Sequence, residues 1–482
     1  MVLKGVMTIE LTDETTGAVE TVMEENMITE AVNNILGLNP MGIFYAATGQ
    51  YDSSVLWNGN LLPICPNMIG GILLFSKALT EDAANIYEMS DNLPVAYASN
   101  NVNSTSNLAR GSLNLTESMK LSDGYKFVWE FTPSQGNGTI VAVALTSALG
   151  GQNAYGSLVA DASAFLQLKV ADIGSLSEAN KMVLFEAAEM DFEKDLLYSI
   201  TYENASVRIR KLRIPVFSIG LNEKLDDSTF TVLDDQVLNT DTFEFLGDHT
   251  KYGEFMDGKD GYWYGFSNVG NSSGDATMLW VKISKTDYSF TEGQWALSNA
   301  YLMDVGNREL GSFPERYVKC CVRNGYLYVP AYNKKGIYKI NLSNSTDVTL
   351  IEFGFTSKWK PLCEAGTCEL YMTLIGDLIV GGDFQIAADD TVIQTQGSAR
   401  LNDAATPLFQ YKNFLIGWGG SYGNEYRTAY LLTPYLASIN NLSSAVVKTV
   451  DKTMKITYTL TEQPDSAASA SVIHQERRLM VF

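Results

Sequence analysis

The stretch NGYLYVPAYNKKGIYKINLS (324–343) decides the fold class, because it has the pattern of one complete β-hairpin. It opens on an Asn-Gly pair, whose residues readily adopt positive φ, and continues with the apolar and aromatic run YLYV. The polar segment NKKG predicts a tight turn, and GIYKI predicts the returning strand. Short paired strands of this kind are typical of the blades of a β-propeller.

Four further segments repeat this arrangement along the chain. From the second of these five segments onward, the openings fall at Gly261, Gly325, Gly376 and Asn413, so the spacing is not constant, whereas regular propeller repeats recur about every 40–50 residues. We therefore predict an irregular β-propeller-like domain over residues 193–440, with a β-sandwich or a pair of small sheets as the alternative. The four segments are DLLYSITYENASVRIRKLRI (195–214), GYWYGFSNVG…TMLWVKIS (261–284), GDLIVGGDF (376–384) and KNFLIGWGG…RTAYLLT (412–433).

The N-terminal part of the chain predicts a mixed, mainly β domain over residues 1–160. GVMTIEL and AVETVM flank the turn DETTG and predict a hairpin. Residues 24–36 (EENMITEAVNNIL) have apolar positions at helical spacing and predict a helix that ends at Gly37. Alternation then predicts three antiparallel strands within residues 112–147.

The remaining segments complete a mainly β chain. The run LSEANKMVLFEAAEMDF predicts a helical connector over residues 161–192. SAVVKTVDKTMKITYTLTE predicts a pair of C-terminal strands over residues 441–463. Residues 464–482 are rich in Ser and Ala and end in RRLMVF, which predicts a flexible tail whose end docks on a neighbour or frays.

Composition and charge limit the partners that the chain can have. The formal net charge is -21, and such an acidic surface repels phosphate backbones, so we expect no nucleic-acid partner. The N-terminus lacks the apolar core of a signal peptide, and no run approaches 18 apolar residues, so we expect no membrane insertion. Five cysteines without a framework spacing, at positions 65, 320, 321, 363 and 368, predict thiols in a reducing compartment, with a local disulfide as the alternative.

Motifs for catalysis, cofactors and metals are missing from the sequence. The two histidines, His249 and His474, have no nucleophile motif beside them, and no phosphate-binding loop or paired metal-binding histidines occur. The acidic turns at 256–261 (MDGKDG) and 381–390 (GGDFQIAADD) do not match the calcium-binding EF-hand loop. We therefore predict no catalytic residue, no cofactor and no metal. A pair of carboxylates could still hydrolyse a glycoside, but its position cannot be selected from the sequence.

Aromatic residues near glycines are the one candidate binding feature. Trp263 and Tyr264 lie in an aromatic run, and Trp418 and Tyr422 lie in a glycine-rich segment. Exposed aromatic rings stack on sugars, so we assign these four residues as tentative glycan contacts. The alternative is that these rings pack in the cores of the blades.

Residues 5–32 (GVMTIELTDETTGAVETVMEENMITEAV), 70–75 (GGILLF) and 110–147 also carry a family resemblance. Together with 207–221 and 446–462, they resemble uncharacterised virion proteins of tailed phages that infect Gram-positive or gut bacteria. Such proteins are collar, tail or fibre components without a known active residue. The resemblance implies a structural role in the virion, with other virion proteins and copies of the same chain as partners.

Three functions follow as hypotheses. The first is a structural appendage of a phage particle, in which the N-terminal domain attaches and the propeller-like domain projects. The second is a receptor-recognition protein that binds a host surface polysaccharide. The third, with the least support, is a depolymerase that cuts such a polysaccharide. In each case we expect synthesis in the host cytoplasm and localisation in the virion.

Overall fold

A computed structural model gives the fold of the chain. It describes residues 2–37, 69–87, 92–150 except 149, 158–172 except 160–161 and 164, 176–244 except 178–179, 181–182, 185, 204 and 215–226, 254–303 except 270 and 272–273, 320–357, 372–394 except 382, 409–432 except 420–425, and 435–463.

Ten strands from both ends of the chain form one antiparallel sheet. Numbered along the whole chain, these strands are β1 Val2–Asp13, β2 Val19–Ile28, β3 Gly71–Phe75, β4 Ala96–Ala98, β5 Ser112–Leu113, β6 Met119–Lys120, β7 Gly124–Phe131, β8 Gly138–Thr146, β31 Ser438–Lys448 and β32 Lys452–Gln463. Their order in the sheet is β4-β3-β8-β31-β2-β1-β32-β7-β5, with β6 beside β7.

This sheet curls into a nearly closed barrel around an apolar core. Alternation along β1 buries Met7, Ile9 and Leu11, and the opposite residue of Ile9 on β32 is Ile456, also fully buried. At the open side, Arg110 forms an isolated bridge with Tyr97 of β4, two residues before β5 begins. The two ends of the sheet therefore meet through this bridge, so few strand edges are left open there.

The helix lies further along the chain than its sequence period predicts. Residues 24–28 belong to strand β2, and helix α1 spans Glu30–Gly37. The prediction of a helix from residue 24 was therefore wrong at its start. Pairing of β2 with β1 over residues 19–26 overrides the local preference, because backbone pairing and a buried barrel face stabilise the extended form.

Five four-stranded antiparallel sheets make up the propeller-like part, in agreement with the predicted fold class. Four are consecutive meanders: blade 1 is β12 Ala187–Asp191, β13 Leu196–Glu203, β14 Ser206–Arg213 and β15 Thr231–Asn239; blade 2 is β16 Glu254–Asp257, β17 Tyr262–Asn268, β18 Ala276–Ser284 and β19 Phe290–Leu297; blade 3 is β20 Cys321–Arg323, β21 Tyr326–Pro330, β22 Gly336–Asn341 and β23 Asn344–Glu352; blade 4 is β24 Thr373–Ile375, β25 Leu378–Val380, β26 Phe384–Ile386 and β27 Val392–Gln394.

The fifth sheet, here called the closing sheet, combines strands that are far apart in sequence. It contains β28 Phe409–Tyr411, β29 Phe414–Gly419 and β30 Tyr426–Leu432, and β11 Phe165–Asp172 pairs with β30 at its edge. Between the barrel and β11, β9 Leu158–Val159 and β10 Ala162–Ser163 form a separate two-stranded sheet. A short 3-10 turn, Asp227–Thr229, precedes β15.

The closing sheet joins both of its neighbours in the ring. The hydroxyl of Tyr411 donates a hydrogen bond of 3.0 Å to Glu193 of blade 1, and the Tyr411 ring lies 4.9 Å from that of Phe192. On the other side, the N–H of Gly376 in blade 4 donates to the side chain of Gln410. These contacts show that the first and last sheets meet, as the blades of a propeller do.

The five predicted hairpins all occur, and their opening turns occupy one position in the fold. Each opening connects the first and second strands of its sheet, as between β20 and β21. There Asn324 and Gly325 both have positive φ, 51° and 79°, as the hairpin turn requires. The spacing of the openings decreases mainly because the sheets shorten along the chain, from residues 187–239 in blade 1 to residues 373–394 in blade 4. The alternative of a β-sandwich was wrong.

The propeller-like part is an insertion in the barrel. The chain leaves the barrel after β8 and returns at β31, and these two strands are hydrogen-bonded neighbours. The C-terminal strands β31 and β32 exist as predicted, but β2 and β1 separate them, so they do not pair with each other. They belong to the same sheet as the N-terminal strands, which the linear division at residues 160 and 441 did not anticipate.

The segment 161–192 is not helical throughout, so that prediction was wrong in part. Residues 165–172 form β11 and residues 187–191 form β12, while the described residues Asn180, Val183 and Leu184 are helical. The apolar period of the run identified a helical turn but not the strands on either side. β11 is fixed by β30, far along the chain, which a local pattern does not reveal, and β12 is fixed by its hairpin with β13.

Contacts between described residues connect the barrel to the propeller, and apolar residues of both parts belong to one core. Helix α1 approaches the closing sheet, where Asn413 donates a hydrogen bond to the carbonyl of Ala31 and accepts one from Asn34. The side chain of Tyr87, in the loop after β3, packs its hydroxyl against Gly376 in the first turn of blade 4. The barrel therefore contacts the end of the propeller that carries the turns between first and second strands.

Candidate functional site

Two of the predicted glycan contacts are buried. Trp263 is 1% exposed and Tyr264 is 5% exposed, and alternation along β17 directs them into different cores. The ring of Trp263 packs between those of Tyr198 and Tyr288. Neither residue can present a ring face to a sugar from solvent, so their assignment as glycan contacts was wrong and the blade-core alternative is correct for them.

The structure does not describe the side chains of the other two predicted glycan contacts. The backbone of Trp418 lies in β29, opposite Arg427 of β30, and its side chain is outside the described part of the structure. Tyr422 lies outside the described residues altogether. Their role in glycan binding stays a prediction.

The surroundings of Trp263 form a charged cluster between blades 1 and 2. The carboxylate of Glu189, on the first strand of blade 1, accepts the Trp263 indole N–H at 2.7 Å. The Lys285 ammonium, in the turn between the third and fourth strands of blade 2, contacts Glu189 and Asp257, each at 2.7 Å. Asp257 also pairs with Lys259. The cluster therefore joins two sheets by hydrogen-bonded ion pairs.

The pKa shifts of Asp257 and Lys285 favour the charged form of each. Burial pushes the pKa of Asp257 upward, but the charge of Lys259 and the hydrogen bonds from Lys285 and Lys259 outweigh burial and hold this pKa below its usual value. Burial lowers the pKa of Lys285, but hydrogen bonds to Asp257 and Glu189 reverse the effect and raise it. A general acid at neutral pH needs a raised carboxyl pKa, so Asp257 is not suited to donate a proton.

A second charged cluster joins blades 3 and 4. Arg323, on the first strand of blade 3, is 3% exposed and donates to the backbone carbonyls of Asp377, Ile386 and Ala387 at 2.7–3.1 Å. Its other terminal nitrogen contacts the Tyr328 hydroxyl at 2.9 Å and the Asp390 carboxylate at 2.8 Å. All of these acceptors except Tyr328 belong to blade 4, so Arg323 connects the two sheets.

Lys339 completes this second cluster. Its ammonium pairs with the other oxygen of Asp390 and lies 4.5 Å from the centre of the Tyr326 ring. Burial lowers the pKa of Lys339, but the hydrogen bond to Asp390 outweighs burial and raises it. Asp390 thus has two cationic partners, and its carboxylate is committed to them.

The two clusters occupy equivalent positions with opposite polarity. In each, a charged residue on the first strand of one blade contacts the turn between the third and fourth strands of the next blade. The first strand supplies the acid Glu189 in one case and the base Arg323 in the other, and the turn supplies Lys285 or Asp390. Their geometry suits the joining of blades, and no nucleophile lies beside a base in either cluster.

The acidic turns noted in the sequence have local partners. In MDGKDG, the Asp260 carboxylate accepts the Tyr264 hydroxyl at 2.7 Å. In GGDFQIAADD, Asp383 accepts the hydroxyl of Ser357, and Asp389 accepts the N–H of Thr391. Among the residues that the structure describes, no three His, Cys, Asp or Glu side chains are grouped as metal ligands.

The histidines and cysteines add no site in the described ranges. His249 and His474 lie outside the described residues, as do the cysteines at positions 65, 363 and 368. Cys320 and Cys321 are buried in the core that blades 2, 3 and 4 share. The thiol state of the cysteines stays a prediction.

Comparisons with known proteins find only distant similarities. No family model and no curated protein sequence matches the chain. AztD from Citrobacter koseri is 10% identical over 61% of this chain, with a TM-score of 0.20, and the chain spans 62% of its length. A luciferin-regenerating enzyme is 9% identical over 59% of this chain and 97% of its own, with a TM-score of 0.22. An aldose sugar dehydrogenase from Streptomyces coelicolor is 10% identical over 68% and 98%, with a TM-score of 0.19.

Within the described ranges, none of the helical segments has the length and apolar character needed to cross a bilayer.

Proposed function

We propose that the chain is a structural component of a tailed-phage virion, in which the barrel attaches to the particle and the propeller projects from it. The observation that carries this proposal is the insertion of the propeller between the paired strands β8 and β31. The two chain segments that connect the barrel to the propeller start from these neighbouring strands, so the propeller is one large insertion that extends from the barrel. An attachment module with a displayed module is the organisation that an appendage requires.

The charged clusters between the blades favour a mechanical role. Glu189, Lys285, Arg323 and Asp390 are used to join sheets, and the acids that they include are neutralised by bases. An appendage must keep its shape under load, and buried hydrogen-bonded networks fix the relative placement of neighbouring elements. The sequence resemblance to phage virion proteins supports the same proposal. In this role the partners are other virion proteins and copies of this chain.

Labelling of intact particles tests the proposal. Antibodies against the purified chain would be applied to particles produced from the genome that encodes it, and bound gold would be imaged by electron microscopy. We expect labelling at one defined position on each particle. Particles that are free of the chain by both imaging and mass spectrometry would overturn the proposal. Pre-absorption of the antibody with purified chain is the control for non-specific labelling.

A further inference from the structure

Two exposed tyrosines lie side by side at the end of the propeller opposite the opening turns. Leu302, in the connection from blade 2 to blade 3, bridges Ala331, which follows β21. In this antiparallel pairing Tyr301 and Tyr332 lie opposite each other, and the Tyr332 N–H donates to the Tyr301 carbonyl at 2.7 Å. Directly opposed residues project from the same face, about 4.5–5.5 Å apart at Cβ.

The exposure of these residues follows the alternation of the bridge. Leu302 and Ala331 are 0% and 1% exposed, whereas Tyr301 and Tyr332 are 36% and 46% exposed. The ribbon therefore turns its apolar pair inward and its tyrosine pair outward. Large aromatic side chains held at the surface mark binding sites more often than scattered aliphatic ones, because they give a large rigid contact area with only two side-chain torsions to order.

Hydrogen bonds from both neighbouring blades hold this ribbon in place. Asn271, in the loop of blade 2, exchanges backbone and side-chain hydrogen bonds with Leu302 at 3.0 Å. Asn271 also donates to the carbonyl of Ala300. On the blade 3 side, the Lys334 carbonyl accepts the N–H of Ser357 at 2.8 Å. The backbone that carries the tyrosines is thus fixed before any ligand arrives, which lowers the entropy cost of binding.

Two lysines follow the tyrosine pair directly. Lys334 and Lys335 come two and three residues after Tyr332, and neither has an ion-pair partner among the described residues. Unpaired cations in a chain of net charge -21 form a local positive site, since the field of distant acids is screened beyond about 8 Å at physiological ionic strength. Lysine binds carboxylate and phosphate groups as a point charge.

We propose that Tyr301 and Tyr332 form a stacking platform for an acidic saccharide, whose carboxylate or phosphate is bound by Lys334 and Lys335. A sugar ring has an apolar C–H face that packs on an aromatic ring and polar edges that remain hydrated. A neutral sugar would use only the platform, and an acidic peptide would use only the lysines. The combination of both features selects a charged sugar. The inference does not depend on the virion role, because binding is a property of the isolated chain.

Calorimetric titration of the full chain with three defined saccharides tests this site. The probes are a tetramer of galacturonic acid, a short poly(glycerol phosphate) that carries glucosyl groups, and maltotetraose, which is neutral. We expect binding of the galacturonate, the phosphate polymer or both, and at least about tenfold weaker binding of maltotetraose. The first two probes distinguish a carboxylate ligand from a phosphate ligand.

Substitutions locate the site. Tyr332→Ala and the double change Lys334→Gln and Lys335→Gln should each weaken binding of the acidic probe by about tenfold or more. Tyr262→Ala is the matched control, because Tyr262 is 37% exposed but starts β17 at the other end of blade 2. It should leave the affinity unchanged. Thermal unfolding of each variant should show that it remains folded at the temperature of the titration, so that a change in affinity reports on the site.

Three results would overturn the assignment. They are the absence of binding by all three probes, equal binding of maltotetraose, and binding of the acidic probe that the tyrosine and lysine changes do not weaken. Competition between poly-glutamate and the bound acidic saccharide is a further test. Full displacement by the peptide at equal charge concentration would show a simple cationic patch without sugar recognition, and would also overturn the proposal.

Discussion

Arg323 provides the sharpest test of how the blades are held together. Replacement by Met removes the guanidinium and keeps most of the apolar volume. Three carbonyl oxygens of blade 4 and the Tyr328 hydroxyl then lose a donor, while Asp390 keeps only Lys339. Removal of one partner from a buried ion pair lowers the free energy of unfolding by about 3–5 kcal/mol. Because Lys339 still neutralises Asp390, we expect a loss of about 3 kcal/mol, the lower end of that range.

Native-state hydrogen exchange measures this loss where it occurs. A chain with a barrel and an inserted propeller need not unfold in one step, so a single midpoint would not report on the joint between blades 3 and 4. The amides of β26 should lose protection that corresponds to about 3 kcal/mol. Arg323→Lys should recover only part of this loss, because lysine has three donors and lacks the planar fork.

The control for this prediction is a more exposed arginine that also forms ion pairs across two strands. Arg208 pairs with Asp235 and Glu203, and its side chain is 36% exposed. Exposed pairs contribute about 0.2–1 kcal/mol, so Arg208→Met should change protection in β14 by less than about 1 kcal/mol. If Arg323→Met costs no more than Arg208→Met, burial of the network does not determine its strength and the reasoning fails.

Three further changes test other parts of the chain. Burial lowers the pKa of Lys448 to about 8, below its value in the unfolded chain. Between pH 8 and 10.5 the unfolded chain therefore binds more protons than the folded chain, and the free energy of unfolding should rise with pH by up to about 3 kcal/mol. Lys448→Met should abolish this rise, as measured by urea titrations at several pH values. Gly5→Ala should destabilise the barrel by about 1–3 kcal/mol, because a Cβ would lie 2.3 Å from the Tyr458 hydroxyl. Addition of Tyr458→Phe should recover part of the lost thermal stability. If Gly5→Ala costs the same with Tyr458 as with Phe at that position, the clash is not the cause of the loss. Glu189→Gln should lower hydrogen-exchange protection in β12 by about 1–3 kcal/mol, because Lys285 then keeps one carboxylate, and unchanged protection would refute a joining role.

Local turn chemistry explains why the hairpins were predictable. Asn324 and Gly325 favour the hairpin turn whatever the rest of the chain does, and the alternation on both sides gives each strand one buried face. These signals act over about ten residues. They therefore identify each hairpin, and several hairpins in succession indicate a propeller.

Long-range pairing explains what the sequence did not reveal. β1 pairs with β32 across almost the whole chain, as Ile9 does with Ile456. Alternation predicts that each of these strands buries one face, but it does not name the partner. The same limit explains the start of helix α1, because β2 is extended by its pairing with β1. The insertion of the propeller in the barrel follows from such pairings and has no local sequence signal.

Exposure separates the rejected binding residues from those now proposed. Trp263 and Tyr332 both lie in aromatic-rich hairpins, and composition gives no reason to prefer one. Trp263 is on the second strand of a blade, where the neighbouring blade covers it, whereas Tyr332 lies beyond the end of a strand. The position of an aromatic residue within its hairpin thus indicates whether its ring is exposed. Aromatic residues in the turn between the second and third strands were the better candidates, and the tyrosine before NKKG is one of them.

The opposite polarity of the two interblade clusters bears on the order of the sheets. If blade 4 took the place of blade 2 next to blade 1, Glu189 would face Asp390, and if blade 3 took the place of blade 1 next to blade 2, Arg323 would face Lys285. Each wrong contact brings like charges together in a partly buried site, where unfavourable charge pairs cost several kcal/mol. The apolar residues of the blades are similar Ile, Leu, Val and aromatic side chains and discriminate poorly between neighbours. The charges therefore oppose these two exchanges, while the apolar cores supply most of the stability.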